Sequence, residues 1–245
     1  MLVLLSFIIT LFIASQCEAQ PAHVNEIPVP KSYSIVNYAP GTYSSWIQNL
    51  PLKPDKIIYS YRGEVVNNDI YNIFAVVKMS LLYNQDLEQS ADYCLRFWAD
   101  YHQQTDKLDE LYLLDYNGNK KLFKESNRAF NVFLRSAMLN TNSYCIKNGC
   151  DSISESDLKP GDMIVQNEGS GIGHVSIILN VCKSEKSQYL YLIGFSNRPA
   201  QEFHIEKAMD AYGKQGWFTI SGYREFLKNN LDLGTPVYRR FIEGK

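Results

Sequence analysis

An excess of charge of one sign is missing from this chain. Its 24 Lys and Arg stand against 26 Asp and Glu, for a formal net charge of −2. Such a balance leaves no electrostatic footprint for nucleic acid or an anionic membrane surface. Long apolar runs are missing too, except at the very start. Beyond residue 19 nothing reads as a membrane span, a repeat or a low-complexity tract. Histidine is scarce, with four in the chain, and cysteine nearly so, with five. Cys145 and Cys150 have no second close Cys or His pair beside them, so a zinc site is poorly supported. No motif for an organic cofactor is present either.

What is present begins with MLVLLSFIITLFIASQCEA, residues 1–19, followed by QPAHVNEIPVP. An apolar stretch closed by a small residue, Ala19, fits a secretory signal cut before Gln20, although the usual basic start is lacking. The rival is a lipoprotein signal acylated at Cys17, for which Gln16 is a poor neighbour. Either reading places the protein outside the cytoplasm, periplasmic or secreted in one case and lipid-anchored in the other. The remaining chain suits a single domain with a sizeable core. Residues 20–56 are rich in Pro, Ser and Tyr and read as an extended lead-in across the surface of an α+β domain over 57–245. In an exported chain the CIKNGC segment suggests a local Cys145–Cys150 bridge around an Asn-Gly turn, with two free thiols as the alternative. Seventeen tyrosines, many in SYSIVNYAPGTYSSW and KIIYSYRG, fit ordinary sheet packing or an exposed face for sugar or peptide.

Periodicity then assigns elements. DKIIYSYRGEVV and DIYNIFAVVKMS read as strands. DLEQSADYCLRFWADYHQQ reads as a helix capped by Asp86 with Gln89 three residues on, which makes Ser90 its fourth residue and Cys94 its eighth. Asp92, Arg96 and Asp100 line one of its faces as successive i,i+4 pairs. DELYLLDYNGNKKLF is a hairpin about Asn117-Gly118, and ESNRAFNVFLRSAMLNT a second amphipathic helix. GDMIVQ, GHVSIILNV and QYLYLIGFS form an antiparallel meander, followed by a short helix around IEKAMDAYG, an aromatic segment GWFTI and a last segment TPVYRRF.

The chemistry-bearing residues fall at element ends. His174 opens a strand after GSGIG; Ser90 and Cys94 lie near a helix start; Ser196, Pro199, Gln201 and His204 follow the next strand in FSNRPAQEFHI. The unit LKPGDMIVQNEGSGIGHVSIILNV resembles the second half of papain-like, NlpC-type cell-wall amidases. That resemblance implies an antiparallel sheet packed against helices, a histidine base at the mouth of a strand, and a nucleophile at the start of an upstream helix. A helix N-terminus stabilises a thiolate, and an imidazole at a strand mouth can reach it. It also implies that Gln201 or His204 orients His174.

A closer resemblance spans nearly the whole mature chain. SSWIQNLPLKP, DLEQSADYCLRFWADYHQ, PGDMIVQ, GHVSIILNV, FSNRPAQEFHI and TPVYRRF are together similar to the family called domain of unknown function 4846, exported envelope proteins of Bacteroidetes-type bacteria. The chain departs from that family at one point. The family's helix typically carries Cys where this chain has Ser90, and the nearest thiol here is Cys94, one turn later. By position the nucleophile is Ser90, and by thiol chemistry it is Cys94. The bland alternatives are a helix-surface serine and a small core residue. The expected function is that of an amidase or peptidase relative acting on cell-wall peptide, with altered or lost catalysis. The alternative is an envelope module that binds peptide or glycan in the same cleft without chemistry.

Overall fold

The computed structural model describes residues 20–66, 71–168 and 173–242. The expected signal segment, with Ala19 and Cys17, lies outside them. In chain order the strands are β1 (Tyr33–Ile35), β2 (Ile73–Val76), β3 (Tyr112–Leu114), β4 (Lys120–Leu122), β5 (Asp151–Ser152), β6 (Met163–Gln166), β7 (His174–Ser184), β8 (Tyr189–Phe195), β9 (His204–Glu206), β10 (Gly213–Lys214), β11 (Trp217–Phe218) and β12 (Val237–Arg240). The helices are α1 (Tyr43–Gln48), α2 (Ser90–Gln104), α3 (Phe130–Asn140), α4 (Ser143–Gly149) and α5 (Ile220–Asn230). The class is α+β, with every strand pairing antiparallel.

The sheet is built around β7. Its first half pairs with β6, in register Gln166↔His174, and its second half with β1. Its other edge carries β8, and β8 in turn carries β9 and β11. Strand β7 is buried without a break from His174 to Cys182, polar residues included, because both of its faces are covered. Val175, Ile177 and Leu179 join one buried cluster with Cys94 and Trp98 of α2. Ile178 joins a second cluster with Ile193 and Phe195 of β8 and with Tyr223, Phe226 and Leu227 of α5. Helices α2 and α5 therefore sandwich the sheet.

Several expectations are corrected. The lead-in is part of the body: Val24, Ile27, Tyr43, Ile47, Leu50 and Leu52 are buried, and β1 and α1 come from this segment. Among the described residues DKIIYSYRGEVV makes only single bridges, Tyr59↔Val65 about a turn at Gly63 and Ser60↔Gln201. IEKAMDAYG holds no helix. Its start is β9, where Ile205 and Glu206 pair with both β2 and β8, and Ala208 bridges Gly216. The helix lies later, as α5, where the Thr219 hydroxyl accepts the Gly222 N–H.

CIKNGC is likewise helical. The Asn142 side chain caps the Tyr144 and Cys145 N–H groups, and Cys145 and Cys150 are free thiols. Gly149 ends α4 against the β3–β4 hairpin so closely that a Cβ there would strike the Gly118 carbonyl.

Candidate functional site

The start of α2 is set by competition between two caps. Asp86 is drawn away: its Oδ1 accepts the Ala200 N–H at 2.6 Å and the Gln89 side-chain amide at 3.1 Å. The helix then opens with Gln89 as N-cap and Asp92 at N3, whose Oδ2 accepts the Gln89 N–H at 3.0 Å. Ser90 thus becomes the first helical residue instead of the fourth, inside the turn where free N–H groups concentrate. Arg198 donates from Nε to Gln89 Oε1 at 2.7 Å and ties the segment after β8 to this helix start.

Ser90 faces a pocket of about 510 Å³. Its walls come from the start of α2, the α3–α4 junction, the mouth of β7 and the segment after β8, and include Ser90, Asp92, Asn142, Ser143, His174 and Arg198. Gly173 shapes the entry to β7. A Cβ there would collide with Ser143 Oγ, the Gln166 carbonyl and the Asn167 amide.

The pocket does not assemble the expected nucleophile and base. Ser90 Oγ accepts the backbone N–H of Val175 at 3.4 Å, so the serine meets the main chain of β7. Cys94 is 1% exposed, does not line the pocket, and lies with the core; its Sγ donates to the Ser90 carbonyl at 3.6 Å. Burial pushes this thiol well above its ordinary range, which removes the thiolate a nucleophile needs. It is the small core residue.

Strand parity directs the imidazole of His174. Alternate side chains point to opposite faces. Val175 and Ile177 pack toward α2, while the Ser176 hydroxyl accepts from Tyr223 OH of α5 at 2.6 Å. His174 shares the face of Ser176, and its ring meets Phe195 edge-on at 5.1 Å. The base candidate thus forms part of the pocket wall but turns its ring to the face opposite Ser90's helix. There it is 2% exposed and its Nε2 is buried with no partner among the described residues. Burial, with the neighbouring His204 second, lowers its pKa to about 3.

The other histidine candidates lie on that same face. The ring of His204 meets Phe195 edge-on at 4.6 Å and lies tilted against Tyr71 at 4.6 Å, and its Nε2 lies 3.3 Å from Glu206 Oε2. Gln201 donates to Tyr71 OH at 3.0 Å, and Ser196 donates to the Gln201 carbonyl at 2.8 Å. His174, His204 and Gln201 therefore form one buried polar cluster around Phe195 and Tyr71, with Ser90 outside it. Among the described residues no hydrogen bond joins His204 or Gln201 to His174.

Sequence reasoning also mispaired Asp92. Arg96 turns to Glu88 at 2.5 Å and to Asp100 at 3.6 Å. Asp92 keeps one oxygen for the cap, while Oδ1 is buried without a partner among the described residues. The capping-box spacing Gln89-x-x-Asp92 was the signal available in the sequence. Among the described residues no group of three or more His, Cys, Asp or Glu is placed to hold a metal ion, and no helix is long and apolar enough to cross a membrane.

Comparison with curated proteins and with solved structures gives no match. Residues 24–126 and 115–240 match the domain of unknown function (4846), two overlapping segments that meet at the β3–β4 hairpin and take in α2, its pocket and the whole of the main sheet. The chain belongs to this family.

Proposed function

We propose that this is an exported cell-envelope protein that binds cell-wall peptide in the pocket at the start of α2, on a frame related to the papain-like, NlpC-type amidases, without hydrolysing it. The observation that carries this is the disposition of Ser90 and His174. Both contribute to one pocket, as a nucleophile and base would, yet the imidazole lies on the α5 side of β7 while Ser90 bonds the Val175 N–H. A base must come within hydrogen-bond reach of the proton it takes. A helix start, a strand mouth and a polar cleft are retained from the amidase arrangement, and the acid–base pair is not.

The experiment is a comparison of wild type, Ser90→Ala, Cys94→Ala and Ser90→Cys with soluble peptidoglycan fragments. Calorimetry reads binding and mass spectrometry of the products reads cleavage. Binding without cleavage in all four proteins is expected. Cleavage by wild type that is lost in Ser90→Ala would show a working serine amidase and overturn the non-catalytic reading. Cleavage gained only in Ser90→Cys would mark a decayed enzyme whose histidine can still swing round. Export is tested separately, by the N-terminal mass of protein from its native host. A start at Gln20 is expected, a lipid on Cys17 would make it a lipoprotein, and an intact Met1 would refute both.

A further inference from the structure

Two side chains in the pocket wall carry a buried polar atom with no partner among the described residues, His174 Nε2, whose ring is turned to the α5 face, and Asp92 Oδ1. Ser90 Oγ receives the Val175 N–H, Asn142 Oδ1 receives the Tyr144 and Cys145 N–H groups, Ser143 Oγ receives the Asn167 amide, and Asp86 Oδ1 receives two donors. Asp92 differs. It is 6% exposed, lines the pocket, and its Oδ1 has no donor among the described residues. A buried carboxylate oxygen left unpaired is costly, on the order of 1–3 kcal/mol. The other charged wall residues are Asp86 and Arg198. Arg198 is exposed and already donates through Nε to Gln89, so the pocket is short of a cationic donor beside Asp92.

We infer that Asp92 is the recognition residue of this pocket, and that it receives an ammonium group of the ligand on Oδ1. The inference rests on the pocket's being the ligand cleft, and it narrows the ligand to one presenting a primary amine. The ammonium supplies the missing donor and the missing charge together. It also restores the carboxylate, which burial and the nearby Glu88 otherwise disfavour and which the Gln89 N–H and the neighbouring Arg198 support. Helix α2, 15 residues long, holds Asp92 by its cap, so the acceptor is fixed before a ligand arrives.

An ammonium has two peptide sources, the chain's terminal amine and an amino side chain. The test titrates the mature chain, by NMR, with four probes: alanyl-alanine amide, its N-acetyl form, N-acetyl-lysine methylamide and cadaverine. At least one amine probe is expected to bind about tenfold or more tighter than the acetylated dipeptide, since a charged hydrogen bond is worth about 1.5–3 kcal/mol. The dipeptide and the lysine derivative identify which source fits. Asp92→Asn retains an oxygen for the Gln89 N–H and is expected to bring the amine and acetyl forms within about twofold. Failure of every amine probe to bind wild type more tightly than the acetylated dipeptide would overturn the assignment to ammonium while leaving the pocket as the ligand site. So would Asp92→Asn with an undiminished amine preference. No binding of any amine probe at millimolar concentration would overturn it as well. The acetylation contrast in the unaltered chain carries the test even where the variant fails to fold.

Discussion

Acidification should unfold this protein through His174 in particular. The folded chain holds the imidazole neutral down to about pH 3, whereas the ordinary value is 6.5. The unfolded chain therefore takes up a proton below about pH 6.5 that the folded chain refuses. Stability from this group is fully present above pH 6.5 and drains away as the pH falls toward 3. At about 1.4 kcal/mol per pH unit the gap is worth on the order of 5 kcal/mol, a large share of the 5–15 kcal/mol typical of a domain. The buried carboxylates also titrate in this range, so the informative quantity is a difference. His174→Gln removes the titration and keeps a neutral polar side chain beside Phe195. Urea unfolding followed by circular dichroism at several values between pH 7 and pH 3.5 should show wild type losing about 4 kcal/mol more than the variant. With a urea slope of about 2 kcal/mol/M, its midpoint falls about 2 M further. Parallel pH profiles for the two proteins would refute the buried, neutral placement of His174, and with it the argument that its ring faces away from Ser90.

Three further outcomes follow from the packing. Gly173→Ala should lower stability by about 1–3 kcal/mol in thermal unfolding, because its methyl group has no space between Ser143, Gln166 and Asn167; an unchanged midpoint would contradict that. Asp162→Ala should cost about 3–5 kcal/mol in urea, since it strips a buried carboxylate from Arg240, which grips it at 2.6 and 2.7 Å. A loss below about 1 kcal/mol would show the pair to be dispensable. The described thiols, Cys94, Cys145, Cys150 and Cys182, should react with a thiol reagent only after denaturation, and non-reducing peptide maps should find Cys145 and Cys150 unlinked. A 145–150 linkage would contradict the helix α4 seen between them.

The meander β6–β7–β8 was legible because each strand is short, apolar and bounded by Pro-Gly-Asp, a glycine loop or a Ser-Glu-Lys turn. The β3–β4 hairpin was legible for a similar reason. Gly118 supplies the positive φ of its turn, at 80°. The start of α2 was not legible, because Asp86 with Gln89 is the stronger cap by residue type and Gln89 with Asp92 the weaker. A contact with Ala200, 114 residues away, chose between them. IEKAMDAYG failed for the corresponding reason at the level of pairing: a weak helical preference lost to the open edges of β2 and β8. The candidate site was half legible. Ser90 and His174, singled out in the sequence, both line one pocket, and Cys94 does not.

The sequence by itself determined the class of fold, the order of the central strands and the parity of β7, since alternation along a strand is a local property of the backbone. It could not determine which parity meets α2. That choice depends on which apolar set each helix covers, and only the packing of α2 on Val175 and Ile177, with α5 on Ile178, settles it. The same packing sends the imidazole of His174 to the far face and sets Asp92, with its buried unpaired oxygen, in the pocket wall. Side-chain direction in a sheet is fixed locally up to a sign, and long-range burial supplies the sign.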